Sequence, residues 1–229
     1  MSSKVSKKSN LNSIKRKSMK RKIMKRKSMK IKINNKQKTI KKKNKKKYKQ
    51  RGGGKCENKL NAINKDNSRN NITKNDMEDC IINRIIHIDL PNVETIGESV
   101  FKDGKALQTI DLPKVEQIEK SAFENCKSLK TIKLPKVTTI GESAFKGCTS
   151  LSTLSLPELT TIGGSAFQGC TSLSTLTLPK VTTINKSAFQ GCNINESIDL
   201  PNVKTIDESA FQDCEGITTI NLPEVKNIG

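Results

Sequence analysis

The sequence predicts a β-rich solenoid of 22-residue coils, preceded by a disordered basic tail. Two observations support this prediction: proline and phenylalanine both recur every 22 residues, and the first 55 positions contain no acidic residue. Internal periods between about 20 and 50 residues indicate solenoids, whose repeats bury their apolar faces only by stacking. The periodic residues are Pro91, Pro113, Pro135, Pro157, Pro179, Pro201 and Pro223, together with Phe101, Phe123, Phe145, Phe167, Phe189 and Phe211.

Each repeat contains two short segments with the pattern of a parallel strand. In one of them Ile132 and Leu134 flank Lys133, and this alternation is typical of a strand with one buried face. Pro135 follows, has no N–H to donate and therefore ends the strand. A second apolar pair encloses two threonines at 138–139 and predicts a second short extended segment.

Two rows of turn residues separate these strands from the rest of the coil. Gly, Asn and Asp tolerate a positive φ best, so both rows predict corners. Between the rows, the letters ESAF predict one helical turn per coil, with the serine as its N-cap. The first row is Gly97, Glu119, Gly141, Gly163, Asn185, Asp207 and Gly229; the second is Asp103, Asn125, Gly147, Gly169, Gly191 and Asp213.

One motif recurs with little change through the repeats. It reads I-G-x-x-A-F-x-x-C-x-x-L, and one copy consists of Ile140, Gly141, Ala144, Phe145, Cys148 and Leu151. This motif resembles the BspA-like leucine-rich repeats, also called the Treponema pallidum type, over about residues 85–229. The resemblance implies a curved leucine-rich repeat solenoid that binds proteins, often at cell surfaces and in host attachment.

The chain is predicted to have three parts. Residues 1–72 form a disordered polybasic tail and linker, 73–90 a cap helix with the first strand, and 91–229 about six and a half leucine-rich coils. The cap helix is predicted from a capping-box pattern and one apolar face, formed by Thr73, Asp76, Met77, Cys80, Ile81 and Ile85. Beyond the last repeat no cap is evident, so we interpret this end as a shortened array or a homotypic contact.

The tail has the composition of a polyanion-binding segment. Residues 1–55 contain 21 Lys and 4 Arg and carry +25, whereas the whole chain carries +21 and the remainder is therefore mildly acidic. Such a segment contacts phosphates with little base readout, and its basic clusters also match nuclear localisation signals. An anionic membrane surface is the competing ligand. The predicted contacts are Lys15, Arg16, Lys17, Lys20, Arg21, Lys22, Lys25, Arg26, Lys27, Lys41, Lys42, Lys43, Lys45, Lys46 and Lys47.

Sequence signals for location favour the inside of the cell. No apolar run reaches the roughly 18 residues of a membrane span, and charges interrupt the N-terminus where a secretory signal would be apolar. We therefore expect a nuclear or cytoplasmic protein, with a virion as a further alternative, and reduced cysteines. The competing hypothesis is an exported surface or host-attachment protein.

The residues favour binding over catalysis. His87 is the single histidine, and the cysteines recur at a spacing typical of core positions and unlike the short spacing of zinc ligands. We predict a non-enzymatic protein-interaction module that needs no cofactor. Its candidate binding residues on the first strand of each coil are Thr109, Asp111, Thr131, Lys133, Thr153, Ser155, Thr175, Thr177, Asp199 and Asn221.

Overall fold

The computed structural model of the chain divides into two units, Met1–Gly52 and Gly53–Gly229. It describes residues 54–66, 68–77, 80, 85–194 and 196–229, all of which belong to the second unit. The predicted disorder of the basic tail up to residue 53 lies outside the described residues.

Two series of parallel strands alternate along the chain. The first comprises β2 (His87–Asp89), β4 (Thr109–Asp111), β6 (Thr131–Lys133), β8 (Thr153–Ser155), β10 (Thr175–Thr177), β12 (Glu196–Asp199) and β14 (Ile217–Asn221). The second comprises β1 (Asn71–Ile72), β3 (Thr95–Ile96), β5 (Gln117–Ile118), β7 (Thr139–Ile140), β9 (Thr161–Ile162), β11 (Thr183–Ile184), β13 (Thr205–Ile206) and β15 (Asn227–Ile228). The predicted solenoid of 22-residue coils is confirmed.

Equivalent residues of successive coils pair directly. The second series forms one eight-stranded sheet, and the first forms three pieces in the orders β2-β4-β6, β8-β10 and β12-β14. Ile110 pairs with Ile132, and Ile118 pairs with Ile140, one coil later in each case. Because the side-chain period of a strand is 2, this register stacks each inward isoleucine or leucine on its counterpart in the paired strand.

The phenylalanines form a continuous column inside the coils. Neighbouring rings from Phe101 to Phe211 are stacked, with centroids 5.2–5.5 Å apart and planes within 14° of parallel. The rings from Phe101 to Phe189 are fully buried. Aromatic pairs of this kind add stability beyond what their buried area contributes, so the column stabilises the contact between neighbouring coils as well as filling their interiors.

The third side of each coil consists of turns, and the predicted helical turn is not found there. Every serine of ESAF, from Ser99 to Ser209, has φ between 53° and 58°, which excludes the predicted N-cap conformation. Backbone bonds alternate: Phe123 N donates to Ala144 O of the next coil at 2.8 Å, and Glu124 N donates to Ser121 O of its own coil at 3.1 Å. This side therefore consists of turns that are hydrogen-bonded to the turns of the next coil.

Only one of the two predicted corner rows adopts a positive φ. The row from Asp103 to Asp213 has φ between 58° and 72°, as predicted. In the row that begins with Gly97, the prediction is wrong, because no described member has a positive φ. Glycine is favoured at Gly163 for another reason: a Cβ there would lie 2.5 Å from the backbone of the previous coil.

A helix covers the first coil where the sequence suggested linker. Helix α1 (Gly54–Lys65) buries Cys56, Leu60 and Ile63 in the same core as the repeats. Asn64 Nδ2 donates to the carbonyl of Asp89 at 2.8 Å and so ties the helix to β2. The buried apolar side chains follow a helical spacing, but most residues between them are Lys, Asn or Glu, so the sequence shows no clear apolar face.

The predicted cap helix is shorter in the structure. A 3₁₀ helix occupies Lys74–Met77, and Asp76 Oδ2 accepts from Thr73 N and Oγ1, each at 2.8 Å, which confirms the predicted start. Met77 and Ile85 are buried, and Ile85 itself lies outside any helix. Ile81 lies outside the described residues.

We expect Asp76→Asn to lower the free energy of unfolding at pH 7 by about 1–2 kcal/mol. Arg69 donates to both carboxylate oxygens at 2.6 and 2.8 Å, and these bonds lower the pKa of Asp76 from 3.8 to about 2. A lowered folded-state pKa gives stability that is present above pH 4 and is lost as the pH falls towards 2.

Urea denaturation at pH 7 and pH 2.5 tests this expectation. The difference between Asp76→Asn and the unmodified chain should shrink at the lower pH, because the carboxylate is protonated in the unfolded chain there and the folded chain begins to take up the proton as well. Glu224→Gln, which changes an exposed carboxylate, serves as control and should leave stability nearly unchanged. A difference that is independent of pH would contradict the role assigned to the ion pair.

Candidate functional site

The ten predicted binding residues lie on one face of the first strand series. In each three-residue strand the middle side chain is turned inward, as in Ile110 and Leu154, while its two neighbours face outward. Nine of the ten are exposed and Asp111 is half-buried. We call these ten side chains, which lie on β4 to β14, the strand face: Thr109, Asp111, Thr131, Lys133, Thr153, Ser155, Thr175, Thr177, Asp199 and Asn221.

The chemistry of the strand face changes along the solenoid. Its middle, on β8 and β10, presents only hydroxyl groups, with Thr153 paired to Thr175 and Ser155 paired to Thr177. Charges lie on either side: Asp111 pairs with Lys133, and Asp199 accepts a bond from Asn221 Nδ2 at 2.8 Å. A partner would therefore meet an uncharged centre between two charged regions.

His87 lies at the start of the same face. It is exposed, and its Nδ1 is 2.6 Å from Thr109 Oγ1 on the next strand. The side chain therefore projects away from the core. This contact joins His87 to the first residue of the strand face.

Leu176 adds a partly exposed apolar side chain beside the strand face, which the sequence did not predict. It occupies the inward position of β10, yet it is half-buried where Leu154 and Ile198 are buried. In the described sheets β10 pairs with β8 and β12 with β14, so the first series is interrupted beside Leu176. Since Ile194 is buried and β12 carries an irregular register at Glu196, we attribute the interruption to this irregular coil.

The cysteines of the repeats form a buried column. Each thiol donates to the carbonyl of a phenylalanine 25 positions earlier; Cys148 Sγ, for example, lies 3.2 Å from Phe123 O. Burial raises the pKa of Cys126 to about 12 and that of Cys148 further, so these thiols stay protonated near neutral pH. Within the described ranges no group of three His, Cys, Asp or Glu side chains could hold a metal ion.

The predicted polyanion contacts, from Lys15 to Lys47, lie outside the described residues. Their ligand therefore stays a prediction from charge alone. Among the helices of the described part, none is long and apolar enough to cross a membrane.

Comparison with known proteins identifies the repeats. A family model described as a BspA type leucine rich repeat region matches residues 54–152 and 138–229, with six copies. No protein of curated function matches the chain at a significant level.

Solved structures similar to the chain include proteins from three bacteria. A leucine rich cell surface protein from Faecalibacterium prausnitzii A2-165 is 31% identical with a TM-score of 0.55, over 59% of this chain and 38% of its own. A leucine-rich repeat protein from Bacteroides ovatus is 30% identical with a TM-score of 0.47, and the match covers 60% of this chain and 43% of that protein. The T. pallidum leucine rich repeat protein is 28% identical with a TM-score of 0.49, and the match covers 64% of this chain and 61% of that protein. The chain thus spans less than two thirds of each.

The predicted location in the nucleus or cytoplasm is wrong in the light of one of these relatives. The F. prausnitzii protein is described as a leucine rich cell surface protein, and it is 31% identical to this chain. The sequence argument rested on missing export signals, which say nothing about the repeats themselves. Because the matched residues include α1 and the coils that follow it, the chain belongs to the BspA-type leucine-rich repeat family.

Proposed function

We propose that the chain is a non-enzymatic scaffold at a cell surface that binds another protein through the strand face. The observation that supports this proposal is the exposure of nine of the ten predicted residues on one continuous side of the repeats. The surface location is supported by the F. prausnitzii relative, which is a cell surface protein. Adhesion or host attachment, as the family resemblance implies, is the corresponding biological role.

The composition of the strand face favours a broad contact with a protein. Its centre consists of small hydroxyl side chains, and the face has neither the arginine nor the aromatic residues that usually dominate binding energy. Leu176 supplies an apolar point beside this centre. Affinity would then depend on shape and on many weak contacts, with Lys133 and Asp199 restricting how a partner is oriented.

The basic segment supports a second candidate function. Its charge of +25 over residues 1–55 favours a nucleic acid or another polyanion as a separate ligand. This contact would weaken steeply with salt, whereas binding through the uncharged centre of the strand face would not. The salt dependence of the affinity therefore distinguishes binding by the basic segment from binding by the strand face.

The surface location is tested by treating intact source cells with protease. A surface protein is degraded while a cytoplasmic marker enzyme in the same cells remains whole. Degradation that requires lysis of the cells would contradict the location but would leave open whether the strand face binds protein.

The binding surface is tested with Thr153→Arg/Thr175→Arg, which places two long cations at the centre of the strand face. We expect at least a tenfold loss of affinity, about 1.4 kcal/mol, for the protein that the full-length chain captures from a cell-surface extract. The measurement is biolayer interferometry of that protein with immobilised chain.

Thr160→Arg/Thr182→Arg provides the matched control. These two threonines are exposed and also lie one coil apart, but next to the second strand series. The control should bind as the unmodified chain does. Equal affinity for both double variants would contradict the strand face as the binding surface, as would capture that disappears when nuclease is added.

A further inference from the structure

A row of polar side chains beside the second strand series carries opposite charges at its two ends. Each member immediately precedes a strand of that series. Glu116 N donates to Glu94 O and Lys226 N donates to Lys204 O, each at 2.8 Å, so the two like charges at either end lie on neighbouring coils. Hydroxyl groups occupy the middle. We call this the charge row: Glu94, Glu116, Thr138, Thr160, Thr182, Lys204 and Lys226.

The charges of this row are not neutralised by the rest of the described chain. All four charged side chains are exposed, and like charges on neighbouring strands repel each other. Within the described residues, the side chains of Glu116, Lys204 and Lys226 have no ion-pair partner. Glu94 accepts a bond from the uncharged Asn70 Nδ2 at 3.0 Å. The row therefore presents charge of opposite sign at its two ends.

A second row, immediately beyond the same strands, consists of two ion pairs. Lys120 Nζ lies 2.9 Å from Glu142 Oε2, and Lys186 Nζ lies 2.7 Å from Glu208 Oε2. Gly164 separates the two pairs. All four side chains are more than half exposed, so they can contact further charges. We call this the ion-pair row: Lys120, Glu142, Gly164, Lys186 and Glu208.

Both rows are complementary to their own reverse about the same coil. The coil that contains β9 holds Thr160 in the charge row and Gly164 in the ion-pair row. In each row, a charge that lies a given number of coils before this coil has an opposite charge the same number of coils after it. The corresponding residues are Glu94 and Lys226, Glu116 and Lys204, Lys120 and Glu208, and Glu142 and Lys186.

We propose that two copies of this chain pack antiparallel, with the second strand series of one copy against that of the other. The two-fold axis runs along the strand direction at the coil that contains β9, so each row faces the same row of the second copy in reverse order. Facing sheets pack about 10 Å apart, a distance that a lysine and a glutamate side chain cross together. At the axis Thr160 meets its own copy, and Gly164 adds no side chain there.

The charges favour this orientation over a parallel one. Two parallel copies would set the charge row against the ion-pair row, and Glu94 would then face Glu98, a second carboxylate. The antiparallel pair has one unfavourable contact of its own, between Glu119 and Asp207. Glu119 Oε2 accepts a bond from Glu98 N at 2.9 Å, which turns this carboxylate towards its own chain. The opposite-charge contacts on both sides of it outnumber this one.

The size of the contact predicts a weak dimer. The seven coils of the charge row, at about 4.8 Å each, and about 13 Å between the two rows give roughly 450 Å² per copy. About 900 Å² for both copies is typical of weak and transient interfaces. Because exposed charges provide the complementarity, salt should weaken the association.

The strand face takes no part in this contact, because it lies on the first strand series. The proposal is therefore independent of partner binding. Thr160→Arg/Thr182→Arg, the control for partner binding, places cations at the centre of the contact and should prevent the pairing of two copies. Binding of the partner by that variant would leave the present proposal unaffected.

Charge-reversed variants of the full-length chain, purified free of nucleic acid, test the proposal by sedimentation velocity at low salt and increasing protein concentration. Glu94→Lys/Glu116→Lys makes both ends of the charge row basic, and Lys204→Glu/Lys226→Glu makes both acidic. We expect the unmodified chain to dimerise and each double variant to dimerise at least about tenfold more weakly. An equal mixture of the two variants should dimerise as the unmodified chain does, because every basic end then faces an acidic one.

Asp89→Lys/Glu215→Lys is the matched control. It changes the net charge as Glu94→Lys/Glu116→Lys does, but at exposed residues outside both rows, and should leave dimerisation unchanged. An unmodified chain that stays monomeric at every concentration would overturn the proposal, as would double variants that each dimerise normally. A mixture in which the two double variants fail to pair would also overturn it, because opposite charges would then not face each other.

Discussion

Replacing Phe145 with alanine is expected to lower the free energy of unfolding by about 3–5 kcal/mol. The ring is fully buried and stacks on Phe123 at 5.2 Å and on Phe167 at 5.3 Å. Its removal leaves a cavity in the middle of the column and breaks the contact between three coils at once. Urea denaturation followed by circular dichroism measures the loss.

Phe211→Ala provides the comparison for this variant. Its ring is half-buried and stacks on Phe189 at 5.5 Å, at the other end of the column from Phe101. We expect a clearly smaller loss, because a partly exposed site gives up less buried area and leaves no closed cavity. Equal losses in the two variants would contradict a column whose stability depends on neighbours on both sides.

Gly163→Ala is expected to cost about 1–3 kcal/mol, although it adds a single methyl group. A Cβ at this position would lie 2.5 Å from Glu142 N and from Gly141 C, both backbone atoms of the previous coil. Neither atom can rotate away, so the coils must separate. The bond from Gly163 N to Ile140 O, now 2.7 Å, would lengthen as well.

Gly164→Ala is the matched control for this substitution, since it adds the same methyl group one residue later. There the nearest atom to a Cβ is Lys186 O at 3.4 Å, an ordinary contact. We expect a change within about 0.5 kcal/mol, as is usual for a substitution in open surroundings. A thermal melt of both variants beside the unmodified chain is sufficient, and similar melting temperatures would contradict the steric argument.

The period of the sequence determined most of what could be predicted about this fold. A residue type that returns every 22 positions can be buried only against its own copy, so the stacking of Phe145 and Cys148 follows directly. The outward direction of Thr153 and Ser155 follows in the same way from the alternation around Leu154. The sequence was therefore sufficient to predict which side chains form the exposed surface, but it did not identify the ligand.

Three features were not predictable, each for its own physical reason. The positive φ of the serine row escaped prediction because serine has no intrinsic preference for it, and the hydrogen bonds between turns impose it. Helix α1 escaped because polar side chains dominate its composition, although Leu60 and Ile63 face the core. The exposure of Leu176 was not predicted because it depends on the next coil, where the register shifts between Glu196 and Ser197.

The coil-to-coil pairing also determines how this chain would respond to mechanical tension. Each strand pair joins residues one repeat apart, so a load applied along the solenoid axis is carried by all pairs of coils in series, and the weakest pair separates first. A released coil of 22 residues adds about 75 Å of extended chain. Stretching would proceed in equal increments, and a molecule that connects two surfaces in flow could lengthen repeatedly before it detaches.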